Sequence, residues 1–111
     1  MGYIVNRYAA RFDRNEFSDE FISELAHEGW NSLSAREREV VSIACCGCGS
    51  KEIAAKLRIS PETTKVQTKR IMAKMHLPSM TAVVAYAIRF GGVEPSLRDI
   101  YETSDKWQHL A

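Results

Sequence analysis

The chain has 111 residues, which suits one small domain, and its formal net charge at pH 7 is +1. Its 45% hydrophobic and 26% charged residues are ordinary for a globular protein. The longest apolar run, residues 82–88, is far shorter than the roughly 20 residues of a membrane span, and residues 1–7 lack the pattern of a signal peptide. These features argue against membrane-spanning and secreted proteins and predict a cytoplasmic protein with no membrane partner.

The charge is distributed unevenly along the chain. Residues 33–90 contain ten basic and four acidic side chains, whereas residues 1–32 contain three and six, and residues 91–111 contain two and four. A basic centre between acidic flanks indicates that the centre contacts a polyanion. The alternative, a basic surface that is only solvated, stays open at this point.

The first 32 residues predict a helical extension of the domain. Residues 3–12 fit either a helix or a loose arm. Within residues 15–30, Ser18 is a suitable N-cap, the acidic residues that follow it favour the positive end of a helix dipole, and Gly29 predicts the end of the helix. The apolar residues at near-helical spacing, which we expect to face the core, are Phe17, Phe21, Ile22 and Leu25.

A second helix is predicted from Ser34 to the glycines at positions 47 and 49. Ser34 and Glu37 form a capping-box pattern, in which each side chain accepts a hydrogen bond from the backbone N–H of the other residue. The buried stripe of this helix is expected to consist of Val40, Val41, Ile43 and Ala44.

A helix-turn-helix pattern comes next. Residues 51–57 predict a short amphipathic helix, and residues 58–59 break it. Ser60 and Pro61 then open another helix, because serine is a favoured N-cap and proline suits the first helical position, where no N–H is needed. The second helix of such a pair is the one that enters a DNA groove.

The helix that begins at Pro61 has two different faces. Positions 62, 65, 66, 69 and 73 share one side, on which Lys65 and Lys69 lie one turn apart. The residues expected to turn inward are Ile71, Met72 and Met75. Lysine can donate to guanine O6 and N7, and a valine methyl group can contact a thymine methyl group, so the outward side predicts DNA contact. The alternative, that these lysines are only solvated, stays open.

The C-terminal part predicts two more helices. Ser79 is a candidate N-cap for a helix that runs to the glycines at positions 91 and 92, and a tail helix is expected over residues 96–103. Four apolar residues of the first of these helices cannot all reach one core: Val83, Val84, Ala87 and Phe90. This surplus indicates a second helix packed against it, for which a helix of a partner subunit is one candidate. Trp30 and Trp107 are expected to anchor the core and the tail, respectively.

Cys45, Cys46 and Cys48 include a C-x-x-C spacing, which suits a redox couple or half of a zinc site. A zinc site needs four ligands, and the three histidines have no paired spacing, so we expect no metal and no cofactor. Packing of small side chains is the favoured role. A regulatory thiol stays open, to be tested by comparing DNA binding in reductant and in diamide. No nucleophile elbow, phosphate-binding glycine loop or paired-carboxylate site is visible, so the sequence predicts no enzyme.

The pattern over about residues 33–90, somewhat over half of the chain, resembles that of one family. The matching residues are Leu33, Ser34, Arg36, Glu37, Glu39, Val40, Gly47, Lys51, Glu52, Ile53, Ala54, Leu57, Ile59, Ser60, Thr63, Lys65, Ile71, Lys74 and Met75. In register and without a gap, they resemble the LuxR-type (GerE-like) helix-turn-helix DNA-binding domain. The resemblance implies an all-α, four-helix bundle over residues 33–92, to which this chain adds a helical extension at residues 1–32 and a tail helix within residues 93–111.

The resemblance also implies which residues contact DNA. In relatives with a T-V-K-V-x-x-K helix the matching positions approach base edges, and here these are Lys65, Val66 and Lys69. The implied phosphate contacts are Thr63, Arg70, Lys74, Lys51 and Arg58. Glu37 is implied to pair within the scaffold.

Three departures from the family pattern bear on recognition. Thr64 replaces a valine, Gln67 replaces a frequent histidine, and Met80 replaces the arginine that usually opens the last helix. Gln67 retains a hydrogen-bonding side chain and so can alter what is read, whereas Met80 removes a charge. None of these changes removes Lys65 or Lys69.

Two functions follow from these features. The first is a nucleoid-associated transcription regulator that binds double-stranded DNA sequence-specifically, with the helix at about 61–75 in the major groove and a homodimer formed through the helix at about 80–91. The second is a protein-binding module, an anti-activator or co-regulator that pairs with a full-length regulator. Residues 1–32 are too few for a receiver or signal-binding domain, so the activity of a complete chain is expected to follow from its abundance, a partner protein or the acidic N-terminal segment. A steep, log-linear loss of duplex affinity with salt separates the two functions.

Overall fold

All the regular structure that the computed structural model describes is helical, and the described residues are 18–103. The helices are α1 (Asp19–Ser32), α2 (Ala35–Cys45), α3 (Ser50–Leu57), α4 (Pro61–Met75), α5 (Met80–Arg89) and α6 (Leu97–Thr103). The predicted all-α class is confirmed, as are the helices that precede and follow the bundle α2–α5. The predictions for residues 3–12, Phe17 and Trp107 lie outside the described residues.

Four serines set the starts of four helices. The hydroxyl oxygens of Ser18, Ser34, Ser60 and Ser79 each accept a hydrogen bond of 3.1 Å from the backbone N–H three residues further on. Glu37 completes the predicted capping box, because its carboxylate accepts from the backbone N–H of Ser34 at 2.8 Å. Local hydrogen bonding is therefore sufficient to fix these boundaries.

Helix α4 packs against α1, α2, α3 and α5. As predicted, its Ile71 and Met75 are fully buried, and Met72 packs at the edge of the core. Other large members of the core are Trp30, Leu33, Val40, Val41, Ile53, Val83 and Tyr86. Because α4 contributes only one side to this core, its opposite side faces solvent.

Helix α1 crosses α4 at Gly29, where the sequence predicted the end of a helix. That prediction was wrong, because α1 continues to Ser32 and Gly29 is buried within it. A Cβ atom at Gly29 would overlap the carbonyl oxygen of Lys74 and the Cα atom of Met75. The glycine therefore allows two helix backbones to come together and does not end a helix.

The N-terminal half of α1 does not reach the core. Phe21 and Ile22 were expected to be buried, but they are 43% and 44% exposed, and Leu25 is half-buried. The buried residues of α1 are Ala26, Gly29 and Trp30, all in its second half. Helical spacing identifies the apolar side of a helix, but it does not tell how far along that side a neighbouring helix extends.

The apolar surplus predicted for α5 is present. Val83 and Ala87 are fully buried and Val84 is half-buried, whereas Phe90, just after the helix, remains exposed. The Phe90 ring packs beside that of Tyr86, with the ring centroids 5.3 Å apart. The end of α5 therefore carries apolar surface that the described part of the chain leaves uncovered.

Among residues 18–103, no single helix is both long and apolar enough to cross a membrane. Helices α4 and α5 meet those criteria only as a pair bent by 60°.

Candidate nucleic-acid interface

A tight turn joins α3 to α4. Arg58 adopts the left-handed conformation, with φ 57° and ψ 45°, a conformation that is uncommon for a residue other than glycine. Ile59 follows, half-buried, and its backbone N–H donates to the carbonyl oxygen of Ala54 at 3.0 Å. Ser60 then caps α4, and Pro61 lies in the first turn. The predicted helix-turn-helix is therefore confirmed.

The inner side of α4 carries two buried threonines together with Ile71 and Met75. The Thr64 hydroxyl donates to the carbonyl oxygen of Ser60 at 3.3 Å, and the Thr68 hydroxyl donates to that of Lys65 at 3.0 Å. Each buried hydroxyl therefore has a partner within the helix, which explains how Thr64 occupies a position where the family pattern has valine.

The outer side of α4 brings the three predicted base contacts together. Lys65, Val66 and Lys69 are all exposed, and Val66 presents 54% of its surface to solvent although it is apolar. Glu62 and Ala73 are exposed on the same side, as the three-and-four spacing predicted. The result is a solvent-facing surface with two amines around one branched aliphatic side chain.

The predicted phosphate contacts other than Lys74 are also exposed, and all of them lie on the helix-turn-helix. Thr63 lies in the first turn of α4, where its hydroxyl shares a hydrogen bond of 2.9 Å with that of Ser60. Arg70 lies further along α4, Lys51 at the start of α3, and Arg58 in the turn between the helices.

Lys74 was predicted to contact a phosphate, but its ammonium already has a partner within the fold. Its ammonium donates to the carboxylate of Glu37 at 2.7 Å and lies 3.5 Å from the carbonyl oxygen of Ser32. Glu37 is buried at the start of α2, so the ion pair fixes the C-terminal end of α4 to the start of α2 and the end of α1. A phosphate contact by Lys74 has to compete with this internal partner.

The electrostatics of Glu37 favour its charged form. Burial acts to raise the pKa of Glu37, but the hydrogen bonds from Lys74 and Ser34 outweigh it, and the resulting pKa lies below the ordinary value for glutamate. The Glu37–Lys74 contact is therefore an ion pair at neutral pH, in agreement with the scaffold role that the family resemblance implied.

Contacts within the fold occupy some of the basic residues and leave the others available to bind an anion. Of the ten basic residues in 33–90, four contact another described side chain: Arg36 with Glu39, Arg38 with Trp30, Lys74 with Glu37, and Arg89 with Phe90. The remaining six form neither an ion pair nor a contact with an aromatic ring within the described residues, and they are Lys51, Lys56, Arg58, Lys65, Lys69 and Arg70. All six lie on α3, the turn or α4, so the uncommitted positive charge of this segment is concentrated on the helix-turn-helix.

Cys45 is the last residue of α2, and Cys46 and Cys48 follow it. Cys45 and Cys48 are buried, Cys46 is half-buried, and none of the three is in a disulfide. Burial, with a smaller contribution from Cys46, raises the pKa of the Cys45 thiol to about 11, so this thiol is protonated and a poor nucleophile at neutral pH. In the described part of the chain no cluster of side chains suits a metal ion.

Two features of this region were missed by sequence-based prediction. The Lys74–Glu37 pair joins residues 37 positions apart, and no local spacing indicates that these two meet. Glu62 lies on the outer side of α4, as the helical spacing predicted. It was not proposed as a DNA contact, because the family resemblance implied no contact at that position.

The comparison with known families agrees with this geometry. Residues 31–87, just over half of the chain, match the family described as bacterial regulatory proteins, luxR family. The chain therefore belongs to this family and carries its helix-turn-helix DNA-binding domain, with α2–α5 as the four helices.

Individual relatives match mainly over this domain. The chain is 43% identical over 65 residues to the transcriptional regulatory protein FixJ of Rhizobium meliloti, a match that covers 59% of the chain and 31% of FixJ. It is 30% identical over 86 residues to the oxygen regulatory protein NreC of Staphylococcus epidermidis, covering 78% of the chain and 37% of NreC. With Rv0890c of Mycobacterium tuberculosis it is 40% identical over 63 residues, which cover 57% of the chain and 7% of Rv0890c. The chain thus spans well under half of each of these relatives. No solved structure matches it.

Proposed function

We propose that the chain regulates transcription by inserting α4 into the major groove of double-stranded DNA. Lys65, Val66 and Lys69 contact base edges, and the surrounding basic residues contact phosphates. Thr63, Arg70, Lys51 and Arg58 are the phosphate contacts, while Lys74 serves mainly to hold α4 in place. In this function the chain is associated with the nucleoid.

One observation carries this proposal: the exposed side of α4 displays Lys65, Val66 and Lys69, and the other uncommitted cations of the basic segment lie on the same helix-turn-helix. Positive charge supplies sequence-independent attraction to phosphates, and amines and methyl groups on one helix side suit the donor and acceptor pattern of the major groove. The names of FixJ and NreC, which describe regulatory proteins, support the same conclusion.

The proposal is tested by selecting bound duplexes from a random pool and measuring affinity for the enriched site at several salt concentrations. A DNA-binding regulator is expected to enrich one sequence and to lose affinity log-linearly as salt rises. A chain that acts only by pairing with a full-length regulator would enrich no duplex and would bind that regulator instead. The exposed apolar end of α5 is the surface that such pairing would use.

Replacing Lys65 or Lys69 by alanine is expected to weaken specific duplex binding by about 1–3 kcal/mol each, because each amine loses its hydrogen bonds to a base edge. Fluorescence anisotropy with the selected duplex measures the change. Arg98→Ala on α6 is the matched control, since it removes an exposed cation outside the helix-turn-helix. Unchanged affinity in both lysine variants would remove these side chains from the interface.

The proposed regulator binds as a homodimer through α5. This arrangement places the two copies of α4 about one DNA turn apart, one for each half-site. Ile88, 45% exposed at the end of α5, is expected to lie in that interface. Ile88→Lys should therefore shift the mass measured by analytical ultracentrifugation from dimer to monomer and weaken binding to a two-fold symmetric site on the order of tenfold, since one half-site is lost. Ile22→Lys on α1 is the matched control, because Ile22 is 44% exposed and lies on another helix. A wild-type chain that sediments as a monomer, on DNA and free, would contradict the dimer.

A further inference from the structure

Glu62 lies on the side of α4 that is proposed to face DNA, and its negative charge is repelled by phosphates. It is exposed in the first turn of the helix, three residues before Lys65 and four before Val66. Because residues three and four apart share a helix side, its carboxylate points the same way as the proposed base contacts. A recognition helix contacts base edges with its N-terminal residues, so the first turn is where such a contact is expected.

The carboxylate of Glu62 is not committed within the fold. The ion pairs of the described residues are Arg36–Glu39 and Lys74–Glu37, and Glu62 takes part in neither. Its own first-turn neighbours are already hydrogen-bonded to each other, Ser60 with Thr63. Close to a polyanion, an unpaired carboxylate is unfavourable unless a donor on the DNA satisfies it.

The major groove offers one base edge that suits a carboxylate. The exposed edge of cytosine presents the N4 amino group as a donor and has no acceptor beside it. Adenine also has an amino donor, but its N7 acceptor lies next to it and repels a carboxylate; guanine and thymine present acceptors that oppose it directly. We therefore propose that Glu62 is a specificity-determining residue that accepts a hydrogen bond from the N4 amino group of a cytosine. This inference rests on the proposed function of α4.

The helix geometry indicates which base pair is involved. Along a helix with a rise of about 1.5 Å per residue, Glu62 lies about 4.5 Å from Lys65 and about 10 Å from Lys69. The cytosine therefore belongs to a base pair beyond the one that Lys65 contacts, on the side away from Lys69. Glu62 then adds a fourth base-contacting residue to Lys65, Val66 and Lys69.

The test uses the full chain and the duplex selected by the wild type. Each of the four base pairs is placed in turn at the positions flanking the base assigned to Lys65, and affinities are measured for the wild type, Glu62→Ala and Glu62→Gln. The wild type should prefer cytosine at one position on the order of tenfold. Glu62→Ala should lose that preference and leave the other positions unchanged. Glu62→Gln should shift the preference to adenine, because glutamine can bond both N6 and N7.

The opposite outcome has a distinct signature. If the carboxylate faces a phosphate, Glu62→Ala and Glu62→Gln will bind every duplex more tightly by one common factor, with base preferences unchanged, and the inference is overturned. An absence of any effect overturns it too. Glu24→Gln on α1 is the control for removing one exposed negative charge elsewhere.

Failure of this inference can be told from failure of the proposed function. If the wild type selects a duplex and Lys69→Ala weakens it while the Glu62 variants keep every base preference, only the role of Glu62 fails. If the wild type selects no duplex, both fail.

Discussion

Replacing Gly29 by alanine is expected to destabilise the folded chain by about 2–3 kcal/mol, because no space exists for a methyl group between α1 and α4. The new Cβ would overlap backbone atoms of Lys74 and Met75, which cannot rotate away as the end of a side chain could. Alanine favours the helix over glycine by about 0.5–1 kcal/mol, and the overlap outweighs that gain. Urea unfolding followed by circular dichroism measures the loss as a lower midpoint.

Gly49 supplies the matched control for this substitution. A Cβ atom at Gly49 meets nothing within 4 Å, and the φ of −82° there suits alanine. Gly49→Ala is therefore expected to change the free energy of unfolding by less than about 1 kcal/mol. Equal urea midpoints for the two variants would contradict the close crossing of α1 and α4.

Replacing Lys74 by methionine is the second change with a large expected effect, a loss of about 2–3 kcal/mol in the free energy of unfolding. The substitution leaves the buried carboxylate of Glu37 with the backbone N–H of Ser34 but without its cation. The double variant with Glu37→Gln should recover at least about 1 kcal/mol, since the charge that lost its partner is then removed as well. Urea unfolding of the wild type, both single variants and the double variant gives the coupling energy.

The exposed ion pair Arg36–Glu39 is the control for this cycle. Its atoms are 3.3 Å apart, but both side chains are in solvent, so Arg36→Met should cost no more than about 0.5 kcal/mol. A loss for Lys74→Met as small as that for Arg36→Met would show that the ion pair between half-buried Lys74 and buried Glu37 does not hold α4 to α2.

The Glu37–Lys74 pair also makes the free energy of unfolding depend on pH, and the direction of the Glu37 pKa shift fixes the sign of that dependence. The pKa of Glu37 is lower in the folded chain than in the unfolded chain, so the unfolded chain binds the proton more readily. The stabilisation is therefore complete above the ordinary pKa of a glutamate and is lost as the pH falls through the lower, folded-state pKa. In Glu37→Gln this acid-side loss should be reduced, which unfolding curves across the acid range will measure.

The starts of the helices were predictable because their causes are local. A serine hydroxyl can cap the backbone N–H three residues further on without help from distant residues. The predicted helix starts after Ser18, Ser34, Ser60 and Ser79 agree with the structure. The outward side of α4 was predictable for a similar reason, since the three-and-four spacing fixes which side chains share a side. Lys65, Val66 and Lys69 therefore lie together as expected.

Contacts between distant residues could not be predicted in this way. Gly29 was interpreted as a helix end because its actual role depends on where α4 crosses α1, which no residue near Gly29 determines. Phe21 and Ile22 have the spacing of a buried side, but α4 does not extend to cover them. Lys74 has the charge of a phosphate contact, yet it meets Glu37 from 37 residues away.

The sequence alone thus determined the all-α class, the starts of the serine-capped helices, the helix-turn-helix and the side of α4 that carries the lysines, because backbone capping and helical periodicity act over a few residues. Only the tertiary structure decided which cations remain uncommitted, because an ion pair such as Glu37–Lys74 forms only when packing brings its members together. That packing assigns Lys74 to the scaffold and leaves the remaining positive charge of the segment on α3, α4 and the turn between them.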